Sequence, residues 1–166
     1  MGEAVANVAR RINVTMEDGL DTLDLSDCNL ISFPDGVLKM IRSCADQIHK
    51  ISLANNKLKS LGGKFFSMFP QLRELDLQGN TLIKLPDVVG EMQNLISINL
   101  SNNNFNVFPE QLTNIQTLQN INMSGNQISE VPWERVYAMP SLKTVDLRSN
   151  PITSPPQTPQ NFTVLT

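Results

Sequence analysis

His49, Cys28 and Cys44 are the side chains of this 166-residue chain best suited to hold a metal or attack a substrate. A zinc site takes three or four nitrogen, sulfur or carboxylate ligands held at short, characteristic spacings. His49 is the single histidine, and with only two cysteines in the chain the set of ligands that a zinc site needs is not assembled, so no metal is expected. Motifs for phosphate binding and hydrolysis are also missing. The sequence contains no glycine-rich loop ending in Lys-Ser/Thr, no Gly-x-Ser-x-Gly and no His-Glu-x-x-His. Gly62-Gly63 reads as a turn, because no Lys-Ser/Thr follows it. The chain is therefore expected to be no enzyme and to use no cofactor.

What the chain does carry is a period. The pattern Leu-x-x-Leu-x-Leu-x-x-Asn-x-Leu fits six times. The copies are Leu20, Leu23, Leu25, Cys28, Leu30; Ile48, Ile51, Leu53, Asn56, Leu58; Leu72, Leu75, Leu77, Asn80, Leu82; Leu95, Ile98, Leu100, Asn103, Phe105; Leu118, Ile121, Met123, Asn126, Ile128; and Leu142, Val145, Leu147, Asn150, Ile152. The asparagine slot falls at positions 28, 56, 80, 103, 126 and 150, giving separations of 28, 24, 23, 23 and 24.

The spacing predicts the local structure. A Leu-x-Leu pair has period two, so both leucines lie on one side of a short strand. The chain then turns at the asparagine, whose amide can bond backbone groups that the turn leaves unpaired. Stacked coils pair their strands in parallel and bury a continuous aliphatic core. A thiol packs as a small apolar group with a weak donor, so Cys28 fits the asparagine slot structurally. On the return segments an apolar residue precedes proline at Phe33-Pro34, Leu85-Pro86, Phe108-Pro109 and Val131-Pro132. Proline suits the entry to a helical turn, and the first repeat, the longest, should carry the longest outer helix, to about Ala45.

These residues resemble the intracellular leucine-rich-repeat family, in its class with Leu-Pro on the outer segment. The resemblance implies an α/β fold: a horseshoe solenoid with short parallel strands on the concave face and short helices or turns on the convex face. It also implies a protein-interaction role and carries over no catalytic residue. Residues 20–152 would be the six repeats. Residues 1–19 would be an N-terminal capping helix, with Val5, Val8, Ile12 and Met16 on its apolar face. Residues 153–166, containing several prolines, would be a C-terminal tail, extended or disordered, that covers the last coil at most through Phe162, Val164 or Leu165.

Composition limits the partners. The net charge is −3 and the pI about 5.1, with no basic stripe, so neither nucleic acid nor an anionic membrane is expected. No apolar run approaches the roughly 20 residues of a membrane span, and residues 1–11 do not read as a signal peptide. Two cysteines are too few for a disulfide scaffold. The expectation is a cytoplasmic, reduced, monomeric protein.

Function should then sit on the concave face, where the residues between the leucines point. The central column reads Asp24, Ser52, Asp76, Asn99, Asn122, Asp146. Flanking columns contribute Lys50, Glu74 and Asn120 on one side and Gln78 and Arg148 on the other. These eleven residues form the candidate protein-binding site, with an acidic patch around Asp24, Glu74 and Asp76 and positive charge from Lys143 and Arg148 at the far end. Six strands about 4.8 Å apart give a face on the order of 25–30 Å long. That is small for a standard interface, so loop residues Asn29, Lys57, Thr81, Asn104 and Gln127 should contribute. The expected function is an adaptor for an unidentified protein partner. The alternative is a regulatory subunit of a phosphatase, ubiquitin ligase or small GTPase.

Overall fold

The computed structural model describes residues 2–154, 156 and 161–166, with side chains from Ala6 onward. Val5, assigned above to the apolar face of the first helix, lies outside the described side chains, as do Pro155 and residues 157–160 of the tail.

Helix α1 (Gly2–Glu17) leads into β1 (Thr22–Asp24). The remaining strands are β2 (Lys50–Ser52), β3 (Glu74–Asp76), β4 (Ser97–Asn99), β5 (Asn120–Asn122), β6 (Thr144–Asp146) and β7 (Thr163–Leu165). They form one parallel sheet in chain order. Each is three residues long because each coil commits only the x-Leu-x segment to the ladder. The central residues Leu23, Ile51, Leu75, Ile98, Ile121 and Val145 pair in register and are buried. Leu25, Leu53, Leu77, Leu100, Met123 and Leu147 form a second buried row.

The convex side carries α2 (Asp35–Ile41) followed by a 3-10 helix (Arg42–Gln47), then α3 (Gly63–Met68), two further 3-10 helices (Asp87–Glu91 and Glu110–Asn114) and α4 (Trp133–Tyr137). Pro34, Pro86, Pro109 and Pro132 stand at the N-caps, outside the first helical residue, the first three of them in extended backbone. Gly62 takes that place before α3; Phe65 and Phe66 of this helix and Phe69 at its C-cap fill the core beside Phe33.

Two backbone devices repeat at every turn. The residue before each asparagine slot has a left-handed φ: Asp27, Asn55, Gly79, Asn102, Gly125 and Ser149 all lie between +55° and +70°. These are residue types that tolerate this region. The asparagine then ties two coils together. Asn103 accepts the N–H of Leu82 at 3.0 Å and donates to the carbonyls of Leu77 at 2.9 Å and Leu100 at 3.1 Å. Asn56, Asn80, Asn126 and Asn150 repeat the arrangement. Cys28 has no preceding coil to bond. Its Sγ accepts from Asn7 of α1 at 3.4 Å, which explains why a thiol suffices there.

Two expectations are corrected. Leu20 is 42% exposed, whereas Ile48, Leu72, Leu95 and Leu118 at the same template position are fully buried. The cause is the end of α1: Gly19 is left-handed, and the N–H of Leu20 bonds to Thr15 O at 3.0 Å while that of Gly19 bonds to Met16 O. This Schellman termination sets the direction of Leu20 before the first coil begins. Met16 is also exposed, at 38%. The buried side of α1 is instead Val8, Ile12 and Thr15, the last donating to Thr22 O at 2.9 Å. Of the two forms expected for the tail, Thr163–Leu165 takes the extended one, as β7. Thr163 N–H bonds to Lys143 O at 2.9 Å, and Leu147 N–H to Leu165 O at 2.6 Å. Val164 continues the row of Val145, and Phe162 rests on the ring of Tyr137, which stacks on Trp133.

Candidate functional site

The strand ladder brings the eleven candidate residues onto one surface. Lys50, Glu74 and Asn120 stand in the column that begins at Thr22, and Asp24, Ser52, Asp76, Asn99, Asn122 and Asp146 align one beside the next. Gln78 and Arg148 follow two residues beyond the central column, where Ala54 and Ser101 of other coils are buried. Asp24, Lys50, Glu74 and Arg148 are exposed, and the other seven are half-buried.

The central column has a local duty. Each side-chain oxygen accepts the backbone N–H two residues on: Asp24 from Ser26 at 2.9 Å, Ser52 from Ala54 at 3.3 Å and Asp76 from Gln78 at 3.0 Å. Asn99 accepts from Ser101 and Asn122 from Ser124, both at 3.0 Å, and Asp146 from Arg148 at 3.1 Å. The hydroxyls of Ser26, Ser101 and Ser124 donate to the same oxygens. These are Asx and Ser turns that end the strands. They account for the short polar residue types of this column without any ligand.

The charges are organised differently from the sequence expectation. Register sets Lys50 beside Glu74, with Nζ to Oε2 at 3.0 Å. Arg11 reaches from α1 to Asp24 at 3.5 Å and donates to Ser26 O at 2.8 Å. Arg148 pairs with Asp146 at 2.7 Å. The expected acidic patch is thus compensated at Asp24 and Glu74, leaving Asp76 as its carboxylate without a cation among the described residues. The expected positive end likewise retains only Lys143, because Arg148 is paired.

The carboxyl of Asp24 is held below the usual range, chiefly by the Ser26 hydroxyl and then by its N–H and Arg11. Asp146 is lowered in the same direction by Arg148. Glu74 raises Lys50. Such exposed pairs fix side chains more than they stabilise the fold.

The middle of the face is left to amides. Asn99 Nδ2 donates to Gln78 Oε1 at 3.2 Å, and the Asn120 oxygen takes the Thr144 hydroxyl at 2.8 Å. The Nδ2 groups of Asn120 and Asn122 have no partner among the described residues. This surface offers neutral donors to a peptide carbonyl or a polar side chain.

Strand-based reasoning missed the N-terminal border of the face. Val14 and Leu20, both exposed, line a shallow pocket of about 370 Å³ with Arg11, Thr15, Thr22 and Asp24. The signal was an arginine next to the buried Ile12 in the helix, but its reach depends on how α1 docks. No cluster of three metal-ligating side chains occurs among the described residues. Burial raises the pKa of both free thiols, Cys28 and Cys44. No helix among the described residues is long and apolar enough to cross a membrane.

Repeating coils, an asparagine ladder and an open parallel sheet define a leucine-rich-repeat solenoid, and the chain belongs to the leucine-rich-repeat family. Leucine-rich-repeat models match residues 46–105 and 70–128, with further matches at 19–40 and 138–155. The chain is 60% identical over 154 residues to leucine-rich repeat-containing protein 20 of Mus musculus, covering 93% of this chain and 84% of that protein. Leucine-rich repeat-containing protein 20 of Homo sapiens is 58% identical over 95 residues, covering 57% of this chain and 52% of its own length. A leucine-rich-repeat protein of Leptospira interrogans superposes with a TM-score of 0.71 at 27% identity, covering 86% of this chain and 34% of that one. A leucine-rich-repeat protein of Bacteroides thetaiotaomicron shares the fold with a TM-score of 0.75 at 23% identity, over 87% of this chain and 19% of its own.

Proposed function

We propose that this chain is a non-catalytic adaptor that binds a protein partner through its concave face and the adjoining loop rim. The observation that carries the reading is the composition of the face after its internal bonds are made. Its ends are ion-paired, and its centre presents the unshared amide donors of Asn120 and Asn122. Val14 and Leu20 add an apolar border of the kind that anchors interfaces. The family is one of protein-interaction modules, which supports the same reading. Two free cysteines fit a reducing, cytoplasmic setting. In the same reading α1 is the N-terminal cap of the solenoid, residues 20–152 its six repeats, and the segment after them closes its other end.

The test is capture from cell lysate with mass spectrometry, comparing wild type with Glu74→Lys/Asp76→Lys. A partner held by wild type and lost by the folded double variant supports the concave site. Identical capture by both sinks it. A single stoichiometric enzyme among the lost partners would select the regulatory-subunit form of the reading.

A further inference from the structure

After each asparagine turn the chain runs down the flank of the solenoid, and successive flanks are joined by backbone hydrogen bonds. Lys57 N–H bonds to Leu30 O at 2.7 Å, and Thr81 N–H to Leu58 O and Asn104 N–H to Leu82 O, both at 2.9 Å. The residue after each buried leucine therefore falls in one row: Ile31, Lys59, Ile83. Ile31 is 64% exposed, Ile83 58%, and Val107 on the next coil 66%. Single exposed apolar residues are ordinary. These are the three most exposed large hydrophobic side chains among the described residues; Ile31 and Ile83 lie in the row, and Val107 is one residue past its fourth position, Asn106. Ile83 and Val107 border a shallow pocket of about 480 Å³, lined also by the buried rings of Phe105 and Phe108.

Charge selects the occupant. Lys59 and Lys84 are exposed, and neither has a carboxylate partner among the described residues. Of the acids at the pocket, Glu110 is paired with Arg135 at 3.4 Å, while Asp87 takes the neutral Gln111 amide at 3.5 Å and keeps its charge, so Lys59 and Lys84 leave the flank with one net positive charge. The amides of Lys57, Thr81 and Asn104 and the carbonyls of Leu30, Leu58 and Leu82 are already bonded between coils, and the strip presents the exposed side chains of Ile31, Lys59, Ile83, Lys84 and Val107.

We propose that this flank is a second docking surface, separate from the concave face, for a short acidic peptide segment with apolar side chains. Its apolar groups would cover Ile31, Ile83 and Val107, and its carboxylates would meet Lys59 and Lys84. With coils about 4.8 Å apart, the strip is roughly 15 Å long, a length that about five extended residues span.

The test pans phage-displayed random linear peptides on the folded protein, with counter-selection on Ile83→Asp/Val107→Asp. An enriched sequence is then titrated as a fluorescein-labelled peptide. The expected sequences combine Asp or Glu with large apolar residues. Their affinity should fall about tenfold or more in Ile83→Asp/Val107→Asp and in Lys59→Glu/Lys84→Glu. It should weaken with added salt and be unchanged by Asp76→Lys on the concave face, so this proposal and the concave one fail separately. All four positions are exposed, and the melting curves should overlay that of wild type. Ile83→Ser/Val107→Ser replaces the aspartate pair if that pair unfolds. The proposal is overturned if no peptide separates wild type from the apolar variants, or if the enriched sequences are basic or uncharged. It is equally overturned if sedimentation shows a wild-type dimer that Ile83→Asp/Val107→Asp abolishes, since a second copy would then cover the flank.

Discussion

The side chain of Asn55 fills the space beside Gly79 in which a Cβ would stand, and Asn102 stands over Gly125 in the same way. Both glycines have φ of +70°. Gly79→Ala therefore meets two penalties, a left-handed backbone and a clash with the Asn55 amide. It should destabilise the protein by about 1–3 kcal/mol. Asn55→Gly tolerates its own φ of +58° and removes the clash. The double variant should lose less stability than the sum of the two single changes. Urea denaturation of the four proteins measures this, and simple additivity would mean that the two turns are not in contact.

The asparagine ladder gives a steeper expectation. Asn103→Ala leaves the N–H of Leu82 and the carbonyls of Leu77 and Leu100 without their buried partner. The cost should be on the order of 2–4 kcal/mol. Asn103→Asp should be no better, because a carboxylate accepts but cannot replace the bonds that the amide donates to Leu77, Leu100 and Ser101. Cys28→Ala should cost less than either, since Cys28 bonds no preceding coil. Chemical denaturation ranks the three, and a Cys28→Ala loss equal to that of Asn103→Ala would refute the ladder argument.

Acid should release the pairing at the far end of the concave face. Arg148 holds the Asp146 carboxyl below its ordinary value. A carboxylate with a depressed folded pKa adds stability above its unfolded pKa of about 3.9, and loses it as pH falls through the folded value. Asp146→Asn should therefore be less stable than wild type at neutral pH, with the gap closing below about pH 3.9. Exposure of Arg148 keeps the gap small. Denaturation midpoints of both proteins across the acid range decide it. A gap that persists at the lowest pH would assign the effect to the turn bond with the Arg148 N–H instead.

What the sequence made legible were the features repeated in every coil. Leu75 and Ile98 share a row because the coils are of nearly equal length, and the same spacing sets Lys50 beside Glu74. The Asp24-x-Ser26, Asn99-x-Ser101 and Asn122-x-Ser124 turns are also legible in the sequence as a local i, i+2 signal. The misses lie at the ends, where the period stops. Arg11 reaches Asp24 only because α1 docks on the first coil, an angle set by Val8 and Ile12 in three dimensions. Strand β7 follows a connection with no repeat pattern, and its place depends on Val164 and Phe162 finding the free edge of β6 and the Tyr137 ring.

Leu20 and Leu72 occupy one template position and should behave as different residues. Leu72 is fully buried, and Leu72→Ala should cost about 2–5 kcal/mol through the cavity it leaves. Leu20 is turned outward by the left-handed Gly19 at the end of α1, so Leu20→Ala should change stability by no more than about 0.5 kcal/mol. If Leu20 borders the binding face, as its pocket with Val14 and Asp24 suggests, the same variant should weaken partner capture while melting like wild type. Equal destabilisation by the two substitutions would return Leu20 to the core and make the first coil a regular repeat. A silent Leu20→Ala in both assays would leave Val14 as the apolar group at that end of the face, and Val14→Asp would then carry the test.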